Sequence, residues 1–117
     1  MTRTVLIVDD HAPFRARARE LLNAEGFEVV GEAADGTEAA AACDRLRPDV
    51  VLLDIRLPGA DGFAVAQRLA EGADPPALVL ISSRGEEAYR QRLRASPARG
   101  FIAKAELTGA CLDALLT

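Results

Sequence analysis

The chain has 117 residues, half of them hydrophobic and 27% charged, which suits one compact domain and excludes disordered, collagen-like and disulfide-stapled classes. Its net charge of −4 speaks against a nucleic-acid surface, which needs clustered Lys or Arg against phosphates. No apolar run approaches the roughly 18–20 residues that span a bilayer, so no membrane role is expected.

Met1-Thr2-Arg3 leads straight into a strand without a signal-peptide hydrophobic region, so a cytoplasmic setting is expected. The first predicted strand, residues 4–9, is apolar throughout its centre. Phe14, Ala18, Leu21 and Leu22 then recur at helical spacing, with Pro13 in the first turn and Gly26 at the end. Glu28 and Glu32 interrupt the second strand, residues 27–33, as befits an edge strand. Asp35 and Glu38 form a capping-box pattern that opens a second helix ending at Leu46, before Pro48.

A third strand covers residues 49–54, followed by a helix with Phe63, Ala66, Leu69 and Ala70 on one face. The fourth strand, residues 77–82, precedes a weaker helix anchored by Tyr89 and Leu93. After the fifth strand, residues 100–103, a last helix has Leu107, Cys111 and Leu115 as its expected core stripe, with Leu112 and Leu116 widening that stripe sideways. The arginine groups 15, 17, 19 and 90, 92, 94 are expected on solvated helix faces. Cys43 and Cys111 are expected to act as small buried hydrophobes without a disulfide, which suits a reducing compartment.

Val5-Leu6-Ile7-Val8, Val50-Val51-Leu52-Leu53 and Leu78-Val79-Leu80-Ile81 are apolar at every position, the mark of parallel strands covered on both faces. Strict strand–helix alternation predicts an α/β domain over residues 1–117: a (βα)5 doubly wound, parallel five-stranded sheet with right-handed crossovers. Such sheets bind ligands beyond the carboxyl ends of their strands, at the topological switch point. Asp9 and Asp10, Asp54, Ser82 and Ser83, and Lys104 stand at those ends. Three carboxylates in one place repel one another, and a hard divalent cation such as Mg2+ relieves that repulsion.

The chain has no G-x-x-x-x-G-K-[ST] phosphate loop. A flavin carrier would need a phosphate cradle where Asp9 and Asp10 stand, and a dehalogenase-like phosphatase would need a second acid where Arg56 stands.

Over essentially its whole length the chain resembles the response-regulator receiver family of two-component systems. The matching stretches are Val5 to His11, Pro48 to Gly62, Leu80 to Ser83 and Gly100 to Lys104; the stretches around His11 and from Arg99 to Lys104 are most similar to receivers that precede helix-turn-helix output domains. The resemblance implies that Asp54 accepts a phosphoryl group from a sensor histidine kinase or phosphotransfer protein. It further implies that Asp9, Asp10, Asp54 and the backbone carbonyl of Arg56 hold Mg2+, that Ser82 and Lys104 contact the phosphoryl group, and that Phe101 is a switch aromatic. The activity implied is catalysis of the chain's own phosphorylation and dephosphorylation only, so the protein is not expected to be an enzyme in the usual sense. Ala105 stands where many members have proline, and Ser96-Pro97-Ala98 replaces a Gly-containing turn. A degenerate receiver that binds partners without phosphorylation is the alternative. The surface of the fourth helix, fifth strand and fifth helix, broadened by Leu112 and Leu116, is expected as a partner or homodimer face.

Overall fold

The computed structural model describes residues 2–117. Five parallel strands, β1 (Thr4–Val8), β2 (Glu28–Ala33), β3 (Val50–Asp54), β4 (Ala77–Ser82) and β5 (Gly100–Ala103), form one sheet in the spatial order β2-β1-β3-β4-β5. Helices α1 (Ala12–Ala24), α2 (Gly36–Leu46), α3 (Gly62–Ala70), α4 (Arg90–Ala95) and α5 (Gly109–Leu116) connect or follow them. The expected doubly wound α/β architecture is therefore present, and the Glu-interrupted β2 is an edge strand.

Side chains of a strand alternate between faces. On one face Val5, Ile7, Leu52 and Val79 pack with Phe14 and Leu22 of α1 and Leu112 of α5. On the other, Leu6, Val8, Leu53 and Leu80 pack with Ala39 of α2 and Val65 and Leu69 of α3. Both faces are covered, which is why the central strands tolerate no polar residue before their ends.

Local signals are used much as anticipated. Asp35 caps α2 by accepting from the Glu38 amide at 2.8 Å, while the Glu38 carboxylate accepts from the Ala34 amide, one residue beyond the cap. Arg47 ends α2 in the left-handed region, φ 46°, directly before Pro48. After β3 the chain makes a short antiparallel ribbon, Arg56–Leu57 with Ala60–Asp61. Its turn is Pro58-Gly59, and Gly59 has φ +77°, a conformation that favours glycine after a proline in this kind of turn.

The structure corrects several expectations. In α5, Leu112 is completely buried and Leu116 nearly so, whereas Cys111 is exposed and Leu115 only half-buried. Two apolar pairs spaced four apart compete on this short helix, about 100° from one another. The Leu–Leu pair buries more apolar area and takes the core. Leu107 is buried, but it precedes the helix, which Thr108 caps through a bond from the Cys111 amide. The broadened apolar face inferred from Leu112 and Leu116 therefore does not exist on the surface, and the homodimer expectation loses its premise. Both cysteines are free, as expected, but Cys111 is no buried hydrophobe. Burial, with a contribution from Asp44, pushes the half-buried Cys43 thiol up to about 11.

Arg17, Arg90 and Arg94 lie exposed, as expected, but three of the six arginines are engaged. Arg15 and Arg19 of α1 both grip Glu32 of β2, at 3.0 and 2.7 Å, and Arg92 of α4 grips Asp61 at 2.5 Å. The fourth helix begins as a 3-10 turn over Glu86–Tyr89, and neither turn nor helix contains a fully buried residue. No described helix is long and apolar enough to cross a membrane.

Candidate functional site

The topological switch lies between β1 and β3, whose following helices α1 and α3 cover opposite faces. The carboxyl ends of these strands carry Asp9, Asp10 and Asp54. One carboxylate oxygen from each lies within 4.8 Å of the others. Asp9 is fully buried, Asp54 is 4% exposed and Asp10 is exposed at the mouth. Lys104, after β5, reaches back across the sheet end, with Nζ 2.6 Å from Asp9 Oδ2 and 3.1 Å from Asp54 Oδ2. The same ammonium lies 4.8 Å from the centroid of the Phe14 ring, a cation–π position that helps fix the lysine arm.

Backbone groups hold the remaining oxygens. Asp54 Oδ1 accepts from the Arg56 amide at 3.1 Å, and Asp9 Oδ1 accepts from the His11 amide at 2.8 Å. Arg15 Nη1 donates to the Asp9 carbonyl at 2.5 Å, tying α1 to the end of β1. Ser82 is buried, one strand beyond Asp54, and its hydroxyl accepts from the Arg84 amide at 3.0 Å.

One ammonium thus faces two buried carboxylates. Burial works against the charged form of Lys104, but its contacts with Asp9 and Asp54 overcome this and hold it above its ordinary value. Asp54 is pushed up as well, by burial first; its bonds from Arg56 and Lys104 work the other way, and the neighbouring Asp9 charge adds to the rise. An isolated ion pair would raise the lysine and lower the acid. At Asp54 burial, helped by the Asp9 charge, outweighs the pull of the single ammonium. Geometry shows the shortage of donors directly: Asp9 Oδ2 is buried, lies 2.6 Å from Lys104 Nζ, and makes no hydrogen bond among the described residues. Three oxygen donors with unmet negative charge fit a hard cation.

The expected site residues therefore divide. Asp9, Asp10, Asp54 and Lys104 converge, Arg56 contributes its backbone amide to Asp54, and Ser82 stands on the adjacent strand end. Phe101 does not enter the acidic pocket; it is half-buried beside Tyr89, ring centroids 6.4 Å apart. The Lys104–Ala105 link is trans, as expected with alanine in place of proline.

Sequence reasoning assigned no role to Gly62. A Cβ there would lie 2.3 Å from the Asp54 carbonyl oxygen and 2.7 Å from Ile55 Cα. The Gly62 amide donates to the Ile55 carbonyl at 2.6 Å, so the start of α3 is pressed against the backbone that carries Asp54. The only hint in the sequence is the glycine after Asp61, the residue whose carboxylate caps α3 at the Ala64 amide.

The family model described as the response regulator receiver domain matches residues 5–115. The chain is 49% identical over 84 residues to the protein-glutamate methylesterase/protein-glutamine glutaminase 5 of Myxococcus xanthus, covering 71% of this chain and 24% of that protein. It is 34% identical over 102 residues to the transcriptional regulatory protein PdtaR of Mycobacterium tuberculosis, covering 87% and 49% respectively. The chain thus spans between a quarter and half the length of these curated relatives. Among solved structures it is similar to the signal receiver domain of the response regulator NarL from Mycobacterium tuberculosis, with a TM-score of 0.83 at 36% identity, covering 98% of this chain and 97% of that one.

Proposed function

This chain belongs to the response regulator receiver family, and on that premise we propose that Asp54 accepts a phosphoryl group from the phosphohistidine of a sensor histidine kinase or phosphotransfer protein. The observation that carries this reading is the setting of Asp54: nearly buried at the end of the central strand, 3.1 Å from Lys104 and beside two further carboxylates.

An Asp54 carboxylate oxygen attacks phosphorus as the P–N bond to imidazole breaks, so the phosphoryl group passes from nitrogen to oxygen and the histidine leaves. Catalysis of such a transfer is mostly positioning and neutralisation of charge on the phosphoryl oxygens. Lys104 is placed to pair with those oxygens. The Ser82 hydroxyl, whose oxygen accepts from the Arg84 amide, has its own proton to donate to one of them. Asp9, Asp10, Asp54 and the carbonyl of Arg56 are the proposed Mg2+ ligands, and the ion when bound would offset the carboxylate repulsion and the charge of the incoming group. The product stays on the protein, so the chain turns over no separate substrate. The methylesterase named in the Myxococcus xanthus relative belongs to a protein of which this match covers 24%. The two free thiols suit the reducing cytoplasm as its place of work.

The added phosphoryl group brings roughly −1.5 to −2 charge. It draws Ser82 toward it, and Ser82 is paired in register with Ala103, two residues from Phe101. That is the route proposed from chemistry to surface.

Intact-mass measurement after incubation with acetyl phosphate and Mg2+ tests the assignment. The wild type gains one phosphoryl group and Asp54→Asn gains none. Labelling that persists in Asp54→Asn overturns it.

A further inference from the structure

Lys104 is the only lysine of the chain, and its backbone gives its side chain little direction. It opens a 3-10 turn, Lys104–Glu106, that follows the edge strand β5 and contains no buried residue. The long, rotamer-rich arm is therefore aimed by what its own atoms touch. Alongside it lies an open cleft of about 730 Å³ between α1 and the residues after β5, lined among others by Phe14, Leu21, Ala105 and Leu107. An arm without a hold has room there to turn away from Asp54.

Among the described residues three groups face the ammonium: Asp9 Oδ2 at 2.6 Å, Asp54 Oδ2 at 3.1 Å and the Phe14 ring, whose centroid is 4.8 Å away. Both acids also belong to the proposed Mg2+ ligands, so a hard cation and the ammonium contend for the same oxygens. Asp54 moreover ceases to be a carboxylate once it carries the phosphoryl group. The ring keeps its hold throughout, since it has no lone pair to offer a metal and its negative face attracts an ammonium.

That ring is firmly seated. Phe14 is 5% exposed, stands one residue after Pro13 in the first turn of α1, and belongs to the same core as Ile7 and Leu107. The turn is pinned to the end of β1, because the His11 amide donates to Asp9 Oδ1 and Arg15 Nη1 donates to the Asp9 carbonyl. Ring and acidic pocket thus form one rigid unit, and a charge resting on the ring keeps its distance from Asp54.

We propose that Phe14 is a positioning residue for phosphoryl transfer, a role that rests on Asp54 as the acceptor: its ring keeps the Lys104 ammonium at the pocket when the carboxylates turn to the metal. The ammonium then stands ready to pair with the phosphoryl oxygens. A leucine at this position would fill much of the same core but offer the ammonium no quadrupole.

Isotopic labelling of lysine alone gives a single set of side-chain signals in this chain, so NMR of the full chain reads the arm directly. In the wild type the ring current displaces the Lys104 ε-methylene signals from their position in Phe14→Leu, and the displacement persists when Mg2+ is added. In Phe14→Leu, Mg2+ frees the arm and its methylene signals sharpen. Phosphorylation is then timed with acetyl phosphate and Mg2+ on a chain carrying pentafluorophenylalanine in place of Phe14, which keeps the shape of the ring and reverses its quadrupole. The rate falls about tenfold while the urea midpoint is no lower than that of wild type, and a trifluorinated ring gives an intermediate rate. An unchanged rate in the fluorinated chain, or a rate that falls only in step with the urea midpoint, overturns the proposal and leaves the ring as core packing alone. So do wild-type Lys104 signals that coincide with those of Phe14→Leu in the presence of Mg2+. A wild type that takes no phosphoryl group on Asp54 removes the acceptor reading, and the role with it. Normal labelling of Asp54 that fluorination does not slow removes Phe14 and leaves the acceptor standing.

Discussion

Helices α3 and α4 follow neighbouring strands of one sheet, yet they are held in opposite ways. Helix α3 buries Gly62, Phe63, Val65, Ala66 and Leu69, and its first residue is jammed against the backbone of Asp54. Helix α4 buries nothing completely. It hangs on Tyr89, tilted between Phe63 and Phe101, on half-buried Leu93, and on Arg92, which stacks 4.2 Å over the Phe63 ring while gripping Asp61. The difference teaches a division of labour. Chemistry on a carboxylate needs atoms held to a fraction of an ångström, which close packing supplies. A reporter element must change position for a modest input, and few buried contacts keep its local opening free energy low.

The largest effect that bears on this contrast comes from core depth. Leu112→Ala empties a fully buried site under α1 and the sheet and costs about 2–5 kcal/mol. Leu93→Ala in α4 costs about 1 kcal/mol or less, since this side chain is only partly buried and packs at the margin of the core. Urea denaturation of the two variants measures the gap. Equal losses would mean that α4 is as firmly anchored as α5.

A smaller effect is expected from backbone crowding. Gly62→Ala drives a methyl group into the Asp54 carbonyl and destabilises the fold by roughly 2–3 kcal/mol through overpacking. It also slows phosphorylation by displacing the strand end. Gly85→Ala, where nothing lies within 4 Å and φ is −73°, stays within about 0.5 kcal/mol of wild type and keeps its phosphorylation rate. A neutral Gly62→Ala would show that the end of β3 yields as readily as the loop after β4.

The smallest effects separate two ion-pair clamps by pH. Burial raises Glu32, but the bonds from Arg19 and Arg15 outweigh it and hold this carboxyl below its usual range. Asp61 is lowered chiefly by Arg92, then by the Ala64 amide. For an acid lowered in the folded state, the stabilisation is present above the unfolded value and disappears as pH falls through the folded one. Glu32→Gln therefore costs about 1 kcal/mol or less at neutral pH, and its difference from wild type vanishes on acidification. Asp61→Asn keeps the α3 cap and removes the charge that holds Arg92, so amide exchange speeds up at residues 86–95 and not at 50–54. Uniform acceleration across both segments would show that Arg92 fastens the whole domain rather than α4.

Much of this molecule follows from local rules that act within a few residues. The all-apolar runs of β1, β3 and β4, the glutamates of β2, and the Asp35–Glu38 cap each state their structure because pleat, burial and capping are short-range. The placement of Asp9, Asp10, Asp54, Ser82 and Lys104 at one edge was equally readable, because parallel strands put every carboxyl end on the same side. Other features depended on distances between elements, which no window of sequence contains. Only docking onto the sheet decided that Leu112 and Leu116 face the core and Cys111 faces water, since two apolar pairs of equal period were available. Only packing showed that Gly62 must lack a side chain and that Arg15 and Arg19 share Glu32. Charge pairing and close approach are fixed by three-dimensional neighbours, and those neighbours lie far away along the chain, fifty residues for Lys104 and Asp54 and 110 for Arg3 and Asp113.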